Sequence, residues 1–314
     1  MTRVYVVLAG GTGGSRFVTG LTALVGEHEV TVIANVADDD QFYGLHVSPD
    51  IDSNIYALAH LIDVERGWGL RGDTFHFMEA GLRFRQQDWF RIGDRDLATH
   101  QARSDLLAQG LTLTEATSQL AAAFGVKARI LPATDDRLRS RVVTAAGSLP
   151  FQEYLVKRHA ADPVVGYELD GIASARPTQQ VLDAIRSAVA IFLAPSNPVA
   201  SIGPILALPG MRDAISRASA PVVAVSPIIA GQALQPPSGE MMSGLGIEVS
   251  AAGVAGLYAG LADAFLFDVV DAGLQAEISA LGLSPHVANT IMRGSRGRKS
   301  VARAALRAAG LTAA

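Results

Sequence analysis

A short apolar run that leads directly into a glycine-rich turn constrains the fold more than any other feature of this sequence. The run covers residues 4–8, and the turn consists of Gly10, Gly11, Thr12, Gly13 and Gly14. Because glycine lacks a Cβ, these positions can adopt positive φ and bring backbone N–H groups close to an anion. A helix starting near Ser15 would add the positive end of its dipole. The pattern predicts a phosphate-binding turn between a strand and a helix, with a purely structural turn as the alternative.

The turn departs from the two best-known glycine patterns. In the dinucleotide fingerprint a third glycine would follow Gly13 after two residues, and this chain has Arg16 there. The Walker pattern ends in Gly-Lys-Ser/Thr, which is missing here. The strand-like run at residues 30–34 is followed by Asn35, not by an acid that would bind a ribose diol. These departures disfavour a nicotinamide cofactor.

Strand-like and helix-like stretches alternate along much of the chain. The strand-like runs cover residues 4–8, 30–34, 188–193 and 222–225, and the helix-like stretches cover residues 17–25, 54–61, 178–187 and 211–218. Because crossover helices must cover both faces of a parallel sheet, this alternation predicts an α/β protein with a Rossmann-like, doubly wound parallel sheet. Ligands of such sheets bind beyond the carboxyl ends of the strands.

In the middle of the chain, charged and aromatic residues replace the regular alternation of strand-like and helix-like stretches. We expect residues 64–175 to form an inserted α/β lobe, with a helix at 113–124 and peripheral strands at 128–131 and 140–145. The predicted division is a nucleotide-binding core of residues 1–63 plus 176–314 and an inserted lobe of residues 64–175.

Composition narrows the class of protein. Of the 314 residues, 49% are hydrophobic and 18% are charged, which suits a largely buried sheet. The chain has no cysteine, so a metal would need oxygen or imidazole ligands. The net charge of -4 gives no general attraction to nucleic acid. Prolines or charges interrupt the apolar segments and no secretory signal is evident, so we expect a cytoplasmic protein that binds neither nucleic acid nor membranes.

An acidic segment follows the second strand-like run. Its five carboxylates belong to Asp38, Asp39, Asp40, Asp50 and Asp52. They repel one another unless a cation lies among them, and Mg²⁺ prefers a few carboxylates together with water and substrate phosphates. On an extended chain Asp50 and Asp52 would point in the same direction, which makes them candidate metal ligands. The alternatives are a helix cap at Asp52 or Ser53 and a solvated acidic loop.

Aromatic and charged residues alternate between residues 88 and 103. Trp89 and Phe90 offer flat surfaces for a fused aromatic ring. The arginines that could bind phosphate oxygens are Arg91, Arg95 and Arg103. Internal ion pairs beneath an aromatic cover are the alternative. His100 is either a general base or a hydrogen-bonding spacer.

Two more segments carry polar or basic residues. Ser196, Asn197 and Ser201 follow the run at 188–193 and supply neutral donors for a phosphate or a purine edge, with a structural turn as the alternative. Basic residues are concentrated at 293–299. That segment is either a solvated final helix with its entry loop or an anion site.

These clusters, in this order, resemble the 2-phospho-L-lactate transferase (CofD) family of coenzyme F-420 biosynthesis. The matching stretches are GGTGGSRF from Gly10, DDDQFYGLHVSPDIDSNIY from Asp38, RGWGLRGDTF from Arg66, WFRIGDRDLATH from Trp89, FQEYLV from Phe151, PSNPVASIGPIL from Pro195 and AVSPII from Ala224. The likeness runs from the first strand to about residue 271. The Arg- and Ala-rich end beyond about residue 285 fits best the mycobacterial branch, that of the phosphoenolpyruvate transferases.

The resemblance implies a transfer between two small molecules. A phosphoenolpyruvyl or 2-phospho-L-lactyl group would move from its guanosine diphosphate-activated donor to the side-chain hydroxyl of 7,8-didemethyl-8-hydroxy-5-deazariboflavin (Fo), with release of GMP. Mg²⁺ is the expected cofactor, the inserted lobe would cover the acceptor site, and the resemblance favours a homodimer. Such a reaction needs mainly positioning and charge neutralisation, which glycine N–H groups, Mg²⁺ and arginines can supply.

The site residues divide into three groups under this interpretation. The donor nucleotide is assigned to Gly10, Gly11, Thr12, Gly13, Gly14, Ser196, Asn197 and Ser201. The deazaflavin is assigned to His46, Tyr56, Trp89 and Arg91. Asp50 and Asp52 are assigned to Mg²⁺ or to the acceptor hydroxyl, and one of them would be the catalytic base.

The competing class is a non-enzymatic regulator that binds nucleotide sugars and controls carbon or cell-wall metabolism. Such proteins share the sheet and the glycine turn, but they would not need residues 89–100 beside the Asp50-x-Asp52 pair. A nicotinamide oxidoreductase is more distant, because of Arg16 and Asn35. Binding of Fo, which is coloured and fluorescent, would discriminate between the first two classes.

Overall fold

The computed structural model describes residues 3–84 and 87–312. Residues 1–2, 85–86 and 313–314 belong to the predicted core and lobe ranges but lie outside the described residues. The strands are β1 (Tyr5–Ala9), β2 (Val30–Ala34), β3 (Asp40–Phe42), β4 (Leu45–Val47), β5 (Arg129–Pro132), β6 (Arg139–Thr144), β7 (Gly147–Pro150), β8 (Val164–Asp170), β9 (Ala190–Leu193), β10 (Val222–Val225), β11 (Ile228–Ile229), β12 (Gln232–Ala233), β13 (Ala264–Asp268) and β14 (Ser284–Ala288).

The helices pack on both sides of these strands. They are α1 (Thr12–Val25), α2 (Pro49–Leu58), α3 (His76–Gly81), α4 (Asp94–Ala108), α5 (Leu113–Ala123), α6 (Gln179–Arg186), α7 (Gly203–Ala207), α8 (Met211–Ser216), α9 (Ser238–Gly244), α10 (Ala251–Tyr258), α11 (Gln275–Ala280) and α12 (Gly294–Ala308). Among the described helices, none is both long and apolar enough to cross a membrane.

The central sheet has seven parallel strands in the order β14-β13-β10-β9-β1-β2-β5. β1 pairs with β2 on one side and with β9 on the other, so the direction of winding reverses between β1 and β9. In open parallel sheets the ligand crevice lies outside the carboxyl ends of the strands at this reversal. The predicted Rossmann-like, doubly wound fold is confirmed.

Two apolar cores cover the two faces of the sheet. The alternating side chains of β1 show the arrangement, because Val6 and Leu8 belong to one core and Tyr5 and Val7 to the other. Helices α1, α2, α5 and α12 pack on the second face, and helices α6 to α10 pack on the first. Burial on both faces explains why the central strands read as continuous apolar runs.

The segment 64–175 contributes to the central sheet and also forms a smaller sheet. β6, β7 and β8 form an antiparallel three-stranded sheet, which contains the strand expected at 140–145. The strand expected at 128–131 is present as β5, but it pairs with β2 at the edge of the central sheet and so does not belong to a separate lobe sheet. Ile130 and Leu131 are buried in opposite cores, so this edge strand is covered on both faces.

Two helices begin earlier than the sequence indicated. α1 begins at Thr12 and not near Ser15, so the last two glycines of the turn lie in its first turn. α2 begins at Pro49, which suits the first helical position. Asp50 and Asp52 therefore lie on a helix and not on an extended chain, and neither Asp52 nor Ser53 caps it.

Candidate active site

A cavity of about 880 Å³ opens where the turns after β1 and β9 meet. The predicted site residues that line it are Gly11, Thr12, Gly13, Asp50, Asp52, Tyr56, Trp89, Arg91, Ser196, Asn197 and Ser201. The predicted residues that do not line it are Gly10, Gly14 and His46. Phe151, Gln152 and Leu155, from the segment that follows β7, form part of its wall. The sheet reversal and the inserted segment thus enclose one site.

The glycines of the turn allow close packing and do not provide unusual backbone angles. None of the four has a positive φ, so that expectation was wrong. A Cβ on Gly13 would overlap the carbonyl oxygen of Pro195, and a Cβ on Gly10 would overlap the side chain of Ser201. The turn can therefore lie directly against the loop after β9. The first N–H groups of α1, which have no partner within the helix, are left at the cavity wall.

The loop after β9 is held against this turn by hydrogen bonds. The Gly10 N–H donates to Ser196 Oγ at 3.0 Å. Asn197 Oδ1 accepts from the backbone N–H groups of Val199 and Ala200 at 2.9 and 3.0 Å and so caps the following helical turn. Ser196 and Asn197 therefore shape the site. The Ser196 hydroxyl proton remains as a donor beside the cavity, whereas Asn197 Nδ2 donates to Met241 Sδ at 3.6 Å.

Asp50 is buried in a polar pocket between the two turns. Its Oδ2 accepts a hydrogen bond of 3.0 Å from Asn35 Nδ2, and Asn35 also lies 3.3 Å from the Ala200 carbonyl oxygen. Burial raises the pKa of Asp50 to about 7; the Asp39 charge acts in the same direction, and hydrogen bonds from Asn35 and Gly11 oppose it. A carboxyl group with a pKa near neutrality suits proton transfer at physiological pH.

Asp38 adds a second buried carboxyl group beside Asp50. Burial raises the pKa of Asp38 well above its usual range, and the charge of Asp50 raises it further. Within the described residues, Asp38 Oδ1 has no hydrogen-bond partner. Two buried carboxylates with a free oxygen fit a divalent cation, which would let both ionise. No three acidic or histidine side chains converge on one point in the described ranges, so Mg²⁺ would need water or substrate oxygens as further ligands.

Asp52 has different surroundings. Its two oxygens form a bidentate pair with Arg103: Nη1 lies 3.1 Å from Oδ2, and Nη2 contacts Oδ1. Burial raises the pKa of Asp52, and the positive charge of Arg103 opposes that shift. Although burial lowers the pKa of Arg103, Asp52 raises it overall. Because the ion pair occupies both oxygens, the geometry does not fit the prediction that Asp52 shares a metal with Asp50.

A hydrogen-bonded chain leads from this pair back to the cavity. Arg103 Nη1 lies 3.3 Å from His100 Nδ1, which also lies 3.5 Å from Asp52 Oδ2. His100 Nε2 lies 3.3 Å from Asp96 Oδ1, and the Tyr56 hydroxyl donates to the same oxygen at 2.7 Å. Burial and the charges of Asp52 and Asp96 raise the pKa of Tyr56 well above its usual range. This arrangement favours the spacer interpretation of His100.

Aromatic side chains cover one side of the cavity. Phe90 stacks on Phe42 with ring centroids 3.6 Å apart, and Trp89 contacts both rings edge-on. The guanidinium of Arg91 lies 4.2 Å from the ring centre of Phe75. His46, assigned to the deazaflavin, does not line the cavity, and its Nε2 lies 3.0 Å from Asp39 Oδ2. Trp89 and Arg91 therefore lie at the cavity, whereas the geometry does not support a direct contact from His46.

Sequence reasoning missed several groups of this site. In the sequence, Asn35 and Arg16 counted only as departures from the dinucleotide-binding pattern, which has an acid and a glycine at those positions. In the structure both residues lie near the glycine turn. The spacing of Thr12 and Arg16 is that of neighbours on one helix face. That signal would have placed Arg16 at the cavity if the helix start at Thr12 had been known. Asp38 belonged to the acidic cluster but had no assigned role.

The fold is similar to a solved structure of a UPF0052-family protein from Bacillus halodurans. The TM-score is 0.67, and the likeness covers 96% of this chain and 99% of that chain. The sequences are 17% identical. At this identity the likeness concerns the fold alone.

Sequence comparison gives a closer relationship. A family model described as 2-phospho-L-lactate transferase CofD matches residues 5–280. A 2-phospho-L-lactate transferase from Methanosarcina mazei is 37% identical, over 95% of this chain and 97% of the relative. A phosphoenolpyruvate transferase from Kitasatospora aureofaciens is 40% identical, over 96% of each chain. The chain therefore belongs to the CofD family, that of the 2-phospho-L-lactate transferases.

Proposed function

We propose that this protein transfers a phosphoenolpyruvyl or 2-phospho-L-lactyl group from a guanosine diphosphate-activated donor to the side-chain hydroxyl of Fo, in coenzyme F-420 biosynthesis. The transferase class comes from the family and from the names of its relatives. The observation that carries the proposal is one cavity in which the first turn of α1 lies beside the buried carboxyl group of Asp50. A phosphate-binding turn next to a titratable acid suits phosphoryl transfer to a hydroxyl.

The donor is assigned to the side of the cavity formed by the two turns. The free N–H groups of the first turn of α1 would bind the diphosphate, assisted by the helix dipole. Ser196 and Ser201 line the same part of the wall and can donate hydrogen bonds from their hydroxyls. Asp38 and Asp50 would hold Mg²⁺, which when bound neutralises phosphate charge.

The acceptor is assigned to the opposite side, where Trp89, Arg91 and Tyr56 line the cavity. The acceptor oxygen would attack the distal phosphorus, a new P–O bond would form, and the bond to the GMP phosphate oxygen would break. If Asp50 is not a ligand of Mg²⁺, it would accept the hydroxyl proton, a role that suits its raised pKa of about 7 in the metal-free site. Burial of the reacting groups between the core and the inserted segment would limit hydrolysis of the donor.

The test has a binding arm and a product arm. Purified protein is titrated into Fo with fluorescence detection and is then incubated with Fo, MgCl₂ and either the enolpyruvyl or the lactyl donor. We expect micromolar Fo binding and, by mass spectrometry, one transferred acid phosphate and one GMP for each turnover. The preferred donor identifies the transferred group.

The outcome that would overturn the proposal is absence of both Fo binding and product with either donor. Binding of a nucleotide sugar in place of Fo would then favour the regulator of carbon or cell-wall metabolism. Sedimentation of the same preparation tests the homodimer that we propose on the basis of family resemblance, and fractionation of cells tests the proposed cytoplasmic location.

A further inference from the structure

Arg16 and Arg298 place two positive charges at the cavity and at a side pocket next to it. Arg16 lines the cavity, and both residues line a small side pocket next to it. No Asp or Glu of the described residues comes within 4.0 Å of either guanidinium, and the buried Nε of Arg298 has no hydrogen-bond partner there. Asp63, which also lines the side pocket, is paired with Arg66 at 2.9 Å. The two arginines therefore present unneutralised charge to the site.

Helix packing holds these like charges together. A Cβ on Gly20 of α1 would overlap the backbone carbonyl of Arg298, so α1 and α12 approach at backbone contact. The buried residues of α12, including Val301 and Leu306, anchor it in the core. Half-burial lowers the pKa of Arg16, and the charge of Arg298 lowers it further. An anion between the two side chains would relieve this repulsion.

The position of Arg16 relates this charge to the donor. Arg16 follows Thr12 by four residues on α1, so the two share a helix face and are about 6 Å apart along the axis. The proposed donor has three anionic groups, namely two phosphates and the carboxylate of the three-carbon acid. The glycine turn and Mg²⁺ would neutralise the phosphates. Asp96, which accepts a hydrogen bond from Tyr56 on the acceptor side, also lines the cavity and would repel a carboxylate placed there.

We infer that Arg16, supported by Arg298, binds the carboxylate of the acid that the donor delivers. This inference rests on the proposed function and adds the determinant by which the site would distinguish an acid-bearing donor from GDP or a nucleotide sugar. The planar guanidinium can bind a carboxylate through two parallel hydrogen bonds, which an ammonium group cannot do. Arg16 is thus a substrate-specificity residue.

Donor kinetics and GDP binding together test this assignment. The variants are Arg16→Gln, Arg16→Lys and, as a charge-matched control on the exposed face of α12, Arg303→Gln. We expect Arg16→Gln to raise KM for the preferred donor about tenfold or more, as loss of charge-assisted hydrogen bonds does. Arg16→Lys should lie between wild type and Arg16→Gln. The dissociation constant of GDP, which lacks the acid, should change less than about twofold, and Arg303→Gln should match wild type.

Two results would overturn the inference while leaving the proposed function intact. One is an unchanged donor KM in Arg16→Gln when wild type is active. The other is an equal loss of donor and GDP affinity, which would assign Arg16 to the nucleotide. Inactive wild-type protein would instead defeat the proposed function and, with it, this inference.

Discussion

Asp50 and Asp52 lie two residues apart in the first turn of α2, yet their surroundings are opposite. Among the residues that the structure describes, only neutral groups donate hydrogen bonds to Asp50, and its pKa is raised to about 7. Asp52 is locked in a bidentate pair with the fully buried Arg103. Residues two apart diverge by about 200° around a helix axis, so the two carboxyl groups enter different pockets. One acid is available for chemistry, and the other holds α4 against α2.

Substitution of Asp50 should have the largest effect on transfer. Asp50→Asn keeps the shape but removes the proposed proton acceptor and metal ligand, and we expect a loss of turnover of about 10²–10³-fold or more. The measurement is product formation by mass spectrometry at saturating Fo and donor. Asp40→Asn, an acid of the same segment that does not line the cavity, is the control and should retain activity. Near-normal turnover of Asp50→Asn would show that Asp50 is not needed for transfer.

Substitution of Asp52 should have its largest effect on stability. Asp52→Asn leaves the Arg103 charge buried without a counter-ion, and we expect the free energy of unfolding to fall by about 3–5 kcal/mol. Urea unfolding followed by circular dichroism measures the change. The exposed Asp105 of α4 gives the control variant Asp105→Asn, which should stay within about 0.5 kcal/mol of wild type. If both variants unfold at the wild-type midpoint, the structural role of Asp52 is refuted.

A smaller effect is expected when the glycine turn near Asp50 is filled. In Gly13→Ala the new methyl group meets the carbonyl oxygen of Pro195, which is backbone and cannot rotate away. We expect the free energy of unfolding to fall by about 1–3 kcal/mol, and we expect the affinity for the donor to fall more than the affinity for Fo. The control is Gly256→Ala in α10, where a Cβ has open space. Equal loss of donor and Fo affinity would show that the turn only shapes the fold.

The sequence predicted four strands of the central sheet, β1, β2, β9 and β10, because they are buried on both faces and read as apolar runs. It did not identify β13 or β14 as strands. It did not predict α4 as a helix. The buried residues of α4 are Asp96, Thr99, His100 and Arg103, so no apolar stripe at helical spacing marks it. Its polar side chains are paired with α2, and that pairing depends on tertiary contacts which no local pattern reveals.

The sequence predicted which segments form the site, but it did not predict that Asp50 and Asp52 have different roles. The turn after β1, the acidic segment and the loop after β9 were all assigned to one site, and ligands of a parallel sheet bind beyond the carboxyl ends of its strands. The distinction between Asp50 and Asp52 depends on where α2 begins. A start at Pro49 places both acids in one helical turn, and only Asp52 then reaches Arg103. Helix boundaries are the least certain part of a sequence prediction.

The most direct test of the difference between Asp50 and Asp52 is to measure the free energy of unfolding of wild type and Asp50→Asn at pH 5 and pH 8, with and without MgCl₂. Because the folded-state pKa of Asp50 is raised to about 7, its proton stabilises the folded protein at low pH, and that contribution is lost as pH rises towards 7. We predict that, between these pH values, the free energy of unfolding of metal-free wild type falls by about 3 kcal/mol more than that of Asp50→Asn. Mg²⁺ should restore the stability of wild type at pH 8 but not change it at pH 5. Identical pH dependence in the two proteins, with no effect of Mg²⁺, would contradict the account.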